Sequence, residues 1–180
     1  MNGNRMTSSL TQTCAIFALV LCTLGLFPQA HAQEEKEDLA GDKVKYELGF
    51  HLGNLLPNQI SGLTEITGLG GVRGGMRIAP LTYAEAGIIM GNGNDAEWKN
   101  LHMDVRMDMP VETLVGIAYV GLDTNYYKGK GQGTQTIFGG HAGGGIQVPL
   151  TGNVWFRSEM KFGFSPGTSL YVGFGLVLRM

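Results

Sequence analysis

The chain is poor in cysteine, in long apolar runs and in net charge, and each shortage excludes a class of protein. Its two cysteines, Cys14 and Cys22, lie near the N-terminus, so the rest of the chain has no disulfide and no thiolate chemistry. The apolar run from Ala15 to Phe27 is too short to cross a bilayer as a helix. The formal charge of −2 gives no electrostatic footprint for nucleic acid.

The first 32 residues have the features of a cleaved signal peptide. Arg5 supplies a positive charge ahead of the apolar run, Pro28 interrupts that run, and Ala30-His31-Ala32 matches an A-x-A cleavage site. Cleavage before Gln33 leaves 148 residues with 12 basic and 15 acidic side chains, a length that suits one domain. The sequence therefore predicts a signal peptide at residues 1–32 and export of the remainder.

Two other readings of this terminus are open but less favoured. A retained anchor helix conflicts with the length of the apolar run. A lipoprotein would be modified at Cys22, but the preceding Leu21 is bulky where a lipidation site takes a small residue. An exported chain of this size without disulfides needs another source of stability, and a closed sheet in a membrane provides one.

Residues 33–43 are polar and acidic and predict a flexible N-terminal tail, whereas residues 44–180 predict a single barrel domain. Seven segments of this domain alternate apolar and polar residues with period two, and an eighth does so with fewer polar positions. Strands of ten to twelve residues, tilted by about 40°, cover about 25–30 Å of height. The eight predicted strands are Val44–Gly53, Leu69–Ala79, Thr82–Gly91, Trp98–Met109, Leu114–Asp123, Thr136–Val148, Val154–Phe164 and Ser169–Met180.

Almost all strand charges share one side of the alternation. In Leu101–Met109 one face is Leu, Met, Val, Met and Met, and the other is His, Asp, Arg and Asp. A soluble barrel would bury the apolar face, whereas a membrane barrel turns it to lipid and the charges to the lumen. The number and order of the strands favour an all-β, eight-stranded antiparallel up-and-down transmembrane β-barrel, with a soluble periplasmic barrel as the rival fold.

The inward face is nearly balanced in charge, with seven basic and six acidic residues. The lumen of eight strands is only wide enough for side chains, so charges inside it must pair with one another. The sequence therefore predicts a self-neutralising polar plug. Its members are Lys45, Glu47, His51, Arg73, Arg77, Glu85, His102, Asp104, Arg106, Asp108, Asp123, His141, Gln147, Arg157, Glu159, Lys161 and Arg179.

The connections alternate between short and long. Three short turns each carry a proline, at Pro80, at Pro110–Thr113 and at Pro149–Asn153, whereas two others, Asn54–Gly68 and Thr124–Gln135, are long. Short turns on one rim and long loops on the other are typical of bacterial outer-membrane barrels. With an even number of strands, both chain ends fall on the short-turn rim.

The signal peptide, the eight amphipathic strands, the proline-bearing turns and the alternating C-terminal strand Leu170–Met180 resemble the small outer-membrane barrels of the OmpA/OmpX type. The resemblance covers the whole mature chain and implies a bacterial outer-membrane location, with contacts to outer-membrane lipids and lipopolysaccharide. It also implies insertion by the barrel-assembly machinery, which reads the last strand. One departure is that such chains usually end in an aromatic residue, whereas this one ends in Met180.

No pattern in the strands predicts a catalytic, cofactor or metal site. Gly139–Gly145 is not followed by the helix that a phosphate-binding loop requires, and Gly91–Asp95 is better explained as a hairpin loop. The inward histidines His51, His102 and His141 are expected to belong to the polar plug. The strand serine, Ser158, faces outward without a histidine or acid beside it, which disfavours a lipid-modifying enzyme.

Function is therefore expected at the surface, in a structural or interaction role carried by the outer loops. The alternatives are a lipid-modifying enzyme and a narrow pore. Candidate interface aromatics are Trp98, Tyr46, Phe156, Phe162 and Phe164. The candidates for contact with lipopolysaccharide phosphates or an extracellular partner are the loop residues Tyr126, Tyr127, Lys128 and Lys130.

The signal peptide makes a direct prediction about the exported protein. We expect mature material to begin at Gln33, because Ala30-His31-Ala32 follows the apolar run at the spacing that signal peptidase reads. N-terminal sequencing of membrane-fraction protein measures this. Recovery of a chain that still carries residues before Ala32 would contradict it.

Overall fold

The computed structural model describes residues 44–58, 66–93, 96–128, 133–165 and 167–180. The predicted signal peptide and acidic tail lie outside the described residues and stay predictions. The described residues contain no helix long and apolar enough to cross a membrane. The eight strands are β1 (Tyr46–Asn58), β2 (Ile66–Ala79), β3 (Thr82–Gly93), β4 (Ala96–Val111), β5 (Leu114–Lys128), β6 (Gln135–Thr151), β7 (Val154–Gly163) and β8 (Thr168–Arg179).

The strands form one closed barrel in sequence order. Each strand pairs antiparallel with its neighbours, and β1 closes the ring by pairing with β8 from Glu47 opposite Arg179 to Asn58 opposite Thr168. The backbone N–H of Tyr46 donates to the carbonyl of Met180 at 2.9 Å, so both ends of the described barrel meet at one rim. The predicted fold class, an eight-stranded antiparallel up-and-down barrel, is confirmed.

Three tight turns share the rim that holds the chain ends, which we call the turn rim. They centre on Pro80–Leu81, Glu112–Thr113 and Gly152–Asn153. Leu81, Glu112 and Gly152 have positive φ angles of 57°, 48° and 47°, the conformation that two-residue hairpins require. The opposite edge of the barrel is called the loop rim.

Seven of the eight strands run further toward the loop rim than the sequence predicted, and β7 ends one residue earlier, at Gly163. Pairing of β1 with β8 continues to Asn58, and pairing of β4 with β5 continues to Lys128. Much of the two predicted long loops is therefore strand, and the segments between strands shrink to residues 59–65 and 129–134. Cross-strand hydrogen bonding favours this extension because it satisfies backbone groups that a loop would leave to water.

The prolines also lie differently from the prediction. Pro110 is opposite Val115 within the ladder between β4 and β5, and Pro149 is opposite Trp155 beside a register shift. Of the three prolines predicted to lie in turns, only Pro80 belongs to a turn itself. Proline is tolerated at a strand end or bulge because few ladder hydrogen bonds depend on its missing N–H there.

The two faces of the barrel are inverted relative to a water-soluble protein. On β4 the side chains of Met103 and Met107 are 70% and 57% exposed, whereas the intervening Arg106 is completely buried. From Leu101 to Val111 the exposed apolar face spans about 25 Å along the barrel axis, given the usual rise and tilt. Among the described residues, exposed large apolar side chains recur on every strand except β7, whose outward residues Val154, Phe156, Met160 and Phe162 are half-buried, and together they form the lipid-facing band that a transmembrane barrel requires.

Placing a charge in this band should reveal the environment that it faces. Val105 is 52% exposed and lies in the middle of the β4 band. We expect Val105→Arg to lower the free energy of unfolding from bilayers by about 2–4 kcal/mol, because an arginine there faces hydrocarbon. Chemical denaturation of vesicle-refolded protein measures the change, with Thr113→Arg in an exposed turn as the matched control. Equal stability of the two variants would show that water covers this face.

Candidate functional site

The barrel interior collects nearly all the polar residues that the sequence assigned to the inward face. The structure buries a set that spans every strand and includes five cationic and six acidic side chains. Its members are Glu47, His51, Arg73, Glu85, His102, Asp104, Arg106, Asp108, Asp123, His141, Gln147, Arg157, Glu159, Lys161 and Arg179. Asn100 and Asn125, which the sequence analysis did not select, are buried among them.

Two residues of the predicted plug lie elsewhere. Lys45 precedes β1, and its side chain is exposed at the turn rim. Arg77 is only half-buried near the end of β2, where its Nε donates to the carbonyl of Ala79 at 3.4 Å. Both lie at or just beyond the end of a strand on the turn rim, where side chains reach solvent, so neither is buried in the interior as predicted.

Four arginines and four acids form the centre of the interior, which we call the arginine network: Arg73, Arg106, Arg157, Arg179, Glu47, Glu85, Asp108 and Glu159. Glu85 is the most shared acid, because its Oε1 accepts from Arg106 and, at 2.9 Å, from Nη1 of Arg157. Nη1 of Arg73 lies 3.9 Å from the other oxygen of Glu85. Three guanidinium groups from three strands therefore meet at one carboxylate.

The rest of the arginine network repeats this sharing. Nη1 of Arg106 donates to Oε2 of Glu47 at 2.7 Å, and its Nε donates to Oδ1 of Asp108 at 2.6 Å. Nε of Arg179 lies 2.9 Å from Oε1 of Glu47, and its Nη2 lies 3.3 Å from Oδ2 of Asp108. Every arginine of the network contacts at least two of its acids, so four positive and four negative charges neutralise one another away from water.

Glu159 completes the arginine network across the lumen. It accepts hydrogen bonds from both terminal nitrogens of Arg73, one of them at 2.9 Å, and from Nε of Arg157 at 2.8 Å. Arg73 lies on β2 and Glu159 on β7, so this contact joins opposite walls of the barrel. A bidentate guanidinium–carboxylate pair also fixes the relative orientation of its two side chains, so this contact holds the two walls of the barrel rigidly.

Aromatic rings support the guanidinium groups from the walls. The guanidinium carbon of Arg179 lies 3.9 Å from the ring centre of Trp155, and that of Arg106 lies 4.3 Å from the ring centre of Tyr83. These cation–π contacts stabilise the buried guanidinium groups in addition to their ion pairs, and they add no further charge to the interior.

A second polar cluster lies nearer the loop rim and is called the histidine network: His102, His141, Asp104, Asp123, Lys161, Asn100 and Asn125. Asn100 is its hub. The Nδ2 of Asn100 donates to Asp123 at 2.8 Å and to Asn125 at 2.6 Å, and its Oδ1 accepts from Nζ of Lys161 at 3.1 Å. The strands β4, β5 and β7 are thereby joined at this level.

His141 lies between two carboxylates. Its Nδ1 is 2.9 Å from Oδ2 of Asp123, and its Nε2 is at the ion-pair distance of 2.6 Å from Oδ1 of Asp104, although that contact is not angled as a hydrogen bond. His141 of β6 thereby links an acid of β4 to an acid of β5 within the histidine network.

The histidines do not form a metal site within the part of the chain that the structure describes. The rings of His102 and His141 contact edge to face with centroids 6.2 Å apart, whereas His51 lies against Tyr171 and accepts from Nε of Arg73 at 3.4 Å. Among the described residues, no group of three or more His, Cys, Asp or Glu side chains is arranged to hold a metal ion.

Two apolar clusters, which the sequence analysis missed, close the interior above and below the charges. The first, at the loop rim, contains Leu55, Leu69, Ile89, Trp98, Tyr127 and Tyr171. The second, toward the turn rim, contains Val115, Ile117, Tyr119, Trp155 and Val177. The alternation of each strand predicts these inward positions, because the cluster residues occupy the same alternate positions as the inward charges of their strands.

Trp98 is not the membrane-interface residue that the sequence analysis proposed. It is only 4% exposed and stacks inside the barrel on Tyr127, with ring centroids 6.2 Å apart. Its even position on β4 gives it the same direction as His102 and Arg106. Tyr46 and Phe164, by contrast, are 53% and 62% exposed on the outside.

Inward glycines make room for the large interior side chains. A Cβ added to Gly87 would lie 2.7 Å from Nε2 of His102, and one added to Gly121 would lie 2.8 Å from Cε1 of His141. A Cβ on Gly143 would lie 2.5 Å from the hydroxyl of Tyr119. The run Gly139–Gly145 is therefore part of strand β6, as predicted, and part of it gives space to rings from neighbouring strands.

Little empty space remains between these groups. A void of about 20 Å³ lies among Trp98, Asn100, Lys161 and Tyr171 near the loop rim, and a second of about 10 Å³ lies beside His51, Arg73 and Glu159. Each is large enough for about one water molecule. Neither gives a substrate-sized chamber.

The four loop residues proposed for surface contacts separate in the structure. Tyr127 points inward, is only 4% exposed and donates its hydroxyl to Oε1 of Gln135 at 2.7 Å. Tyr126 and Lys128 are exposed on the outer side at the end of β5. Lys130 lies outside the described residues, as do Asn94 and Asp95 of the predicted hairpin loop.

Comparison with known proteins identifies the fold but no family. No family model matches this chain, and no curated protein matches it. The N-terminal β-barrel domain of Pseudomonas aeruginosa OprF is similar, with a TM-score of 0.62 and 12% identity over 76% of this chain and 98% of that one. Neisserial surface protein A has a TM-score of 0.60 and 12% identity over 75% and 96% of the two chains. A de novo designed transmembrane β-barrel has a TM-score of 0.52 and 15% identity over 76% and 95%.

The shared carboxylate at the centre of the arginine network gives a stability prediction. We expect Glu85→Gln to lower the free energy of unfolding by about 3–5 kcal/mol, because it removes the charge that three buried guanidinium groups share. The same change at the exposed Glu97 of β4 should cost less than about 0.5 kcal/mol. Denaturant titration of both variants in vesicles measures the difference, and similar losses at the two sites would refute a buried, mutually neutralised network.

The fit of inward glycines against interior rings gives a second prediction. Gly121→Ala should destabilise the barrel by about 1–3 kcal/mol, because the added methyl group overlaps Asp104 and His141. Gly140→Ala is the matched control on the adjacent strand, since its Cβ would meet only the carbonyl of Gly121, at 3.6 Å. Unfolding midpoints of the two variants compare the effects. A Gly140→Ala loss as large as that of Gly121→Ala would mean that the interior is not tightly packed.

Proposed function

We propose that this chain is a bacterial outer-membrane protein whose closed barrel is a scaffold and whose activity lies at its outer surface and loop rim. The inversion of the barrel carries the proposal: the outside is apolar while charges and aromatic clusters fill the lumen. Hydrocarbon is the solvent that such a surface suits. The similarity in fold to outer-membrane barrels supports this assignment, and the predicted signal peptide at residues 1–32 supplies the export step.

Interlocked charges support the scaffold over a narrow pore. Each arginine of the arginine network is held by two or more carboxylates, and the loop-rim apolar cluster covers the histidine network from above. An ion entering this lumen would have to break several buried ion pairs at once, at a cost of several kcal/mol each. The polar plug is therefore proposed to stabilise the barrel and to block the passage of ions.

The surroundings of Ser158 disfavour the lipid-modifying alternative. Its cross-strand neighbours on the outer face are Ile146 of β6 and Phe174 of β8. Both are apolar, so neither can take a proton from the serine hydroxyl, and a serine nucleophile requires a base within hydrogen-bond reach. The buried His141 has partners in Asp104 and Asp123 instead.

The proposed partners follow from this location. Outer-membrane lipids, lipopolysaccharide among them, contact the apolar band, and the barrel-assembly machinery inserts the chain, whose last strand, β8, alternates as such strands do although Met180 is not aromatic. The segments between strands at residues 59–65 and 129–134 are proposed to meet an extracellular partner, because binding residues commonly lie on connections held by a rigid frame.

Electrical recording tests the closed scaffold directly. We expect the purified mature protein, inserted in a planar bilayer, to show no stable single-channel steps, because the arginine network spans the lumen. A denatured and refolded sample that migrates as a heat-modifiable compact form on gels confirms that the inserted species is the closed barrel. Long-lived conductance steps from such material would support the pore and exclude the plug.

A further inference from the structure

We propose that the outer surface of β4 and β5 at the loop rim binds the phosphate group of a lipid headgroup in the surrounding leaflet. The site consists of Lys99, Tyr126 and Lys128, with Thr124 and Thr136 beside it, and is called the rim site. This inference rests on the membrane location proposed above and adds a specific lipid contact to it.

Strand register brings the members of the rim site together. Lys99 of β4 is directly opposite Tyr126 of β5, and Tyr126 is opposite Thr136 of β6. Lys128 lies two residues beyond Tyr126 on the same face of β5. Lys99 and Lys128 are therefore diagonal cross-strand neighbours, whose Cα atoms are about 7–8 Å apart. Two ammonium groups on flexible stems can therefore approach one phosphate from both sides of the tyrosine.

The exposed charges of the loop rim are concentrated at this place. Among the described residues, the exposed charged side chains at the loop rim are Glu97, Lys99 and Lys128, all on β4 or β5. Neither lysine forms an ion pair with another described residue. Among the described residues, the other six strands present only uncharged outer side chains at this level, so at the loop rim the rim site is the part of the barrel surface that can attract an anion.

Depth relative to the apolar band identifies the partner. Lys99 is the next outward residue after Leu101, where the β4 band ends, and Tyr126 follows Thr124 and the 73% exposed Leu122 on β5. One outward step is about 6–7 Å along the strand, which takes the lysine out of the hydrocarbon and into the headgroup layer. A soluble anion could reach such a position, but a lipid phosphate is held there by its own acyl chains.

An acyl chain also has a surface to lie on beneath the cations. Phe138 is 77% exposed and lies opposite Thr124, one outward row below the Tyr126–Thr136 pair. Together with Leu101 and Leu122 it provides an apolar wall directly below the lysines. Aromatic and basic residues stacked in this order suit an amphipathic ligand whose charge sits above its chains.

Glu97 limits the strength of the rim site. It lies directly opposite Lys128 and one outward row above Lys99, so it reduces the net charge of the patch to +1. Lys99 is the cation nearest the band and furthest from this acid, and we assign it the larger share of binding. Removing the negative charge of Glu97 should therefore strengthen the association.

Native mass spectrometry of the full mature barrel in detergent tests the rim site. The probe is monophosphorylated lipid A, compared with the same lipid after removal of its phosphate. We expect wild-type protein to prefer the phosphorylated lipid. Combining Lys99→Gln with Lys128→Gln should raise the apparent dissociation constant for this lipid by about fivefold per lysine. Glu97→Gln should strengthen binding, and Lys45→Gln at the turn rim should leave it unchanged.

The outcomes separate the rim site from the proposed function. An unchanged preference in the double variant, or an equal loss in Lys45→Gln, would overturn the rim site while leaving the membrane barrel intact. Equal binding of the dephosphorylated lipid would do the same. Failure of the wild-type chain to insert into vesicles as a heat-modifiable barrel would overturn the proposed function as well.

Discussion

Mutual neutralisation of buried charges is the constraint on which the rest of this structure depends. A barrel of eight strands has a lumen that side chains must fill, and here eleven of those side chains carry fixed charges. A single unpaired charge in such a place costs several kcal/mol, so the arrangement is stable only as a whole. Here the charges are paired because three arginines contact Glu85 and two contact Glu159, so that each carboxylate neutralises more than one guanidinium group.

That constraint accounts for features that look unrelated in the sequence. The glycine-rich segments lie where rings such as those of His102 and Tyr119 need space, so glycine is a packing partner of the large inward residues. The aromatic rings of Tyr83 and Trp155 make cation–π contacts with arginines of the arginine network. The loop-rim apolar cluster keeps water from the histidine network. Among the described residues, the stability of the barrel interior and the small size of its two voids are therefore consequences of one arrangement.

Alternation along single strands was enough to predict the fold class and the side of the sheet on which Arg106 or Asp108 lies, because a strand has only two faces. It could not predict partners across the lumen: Arg73 and Glu159 are 86 residues apart in the chain, and no local pattern joins them. Strand ends were misjudged where pairing with a neighbour extends a strand, as from Asn54 to Asn58. Aromatic residue type predicts a membrane-interface position for Trp98, whereas its even position on β4 directs it into the barrel, where it is buried.

Fold similarity to natural and designed barrels does not identify what the protein does, since one scaffold supports many functions. The features on which the two proposals depend lie on the outside: the lysines of β4 and β5, and the two segments between strands at the loop rim. A rigid interior benefits such a surface, because it holds Lys99 and Tyr126 in register without input from the loops.

Nitroxide scanning along β4 tests the inverted barrel most directly. The predicted mature chain has no cysteine, so single cysteines can be introduced and spin-labelled at successive positions from Leu101 to Met109. In vesicles, collision with oxygen should be high at odd positions and collision with a water-soluble nickel complex should be low there, while the packed even positions should exclude both. High nickel accessibility at Met103, Val105 and Met107 would show that water covers this face and would contradict the account.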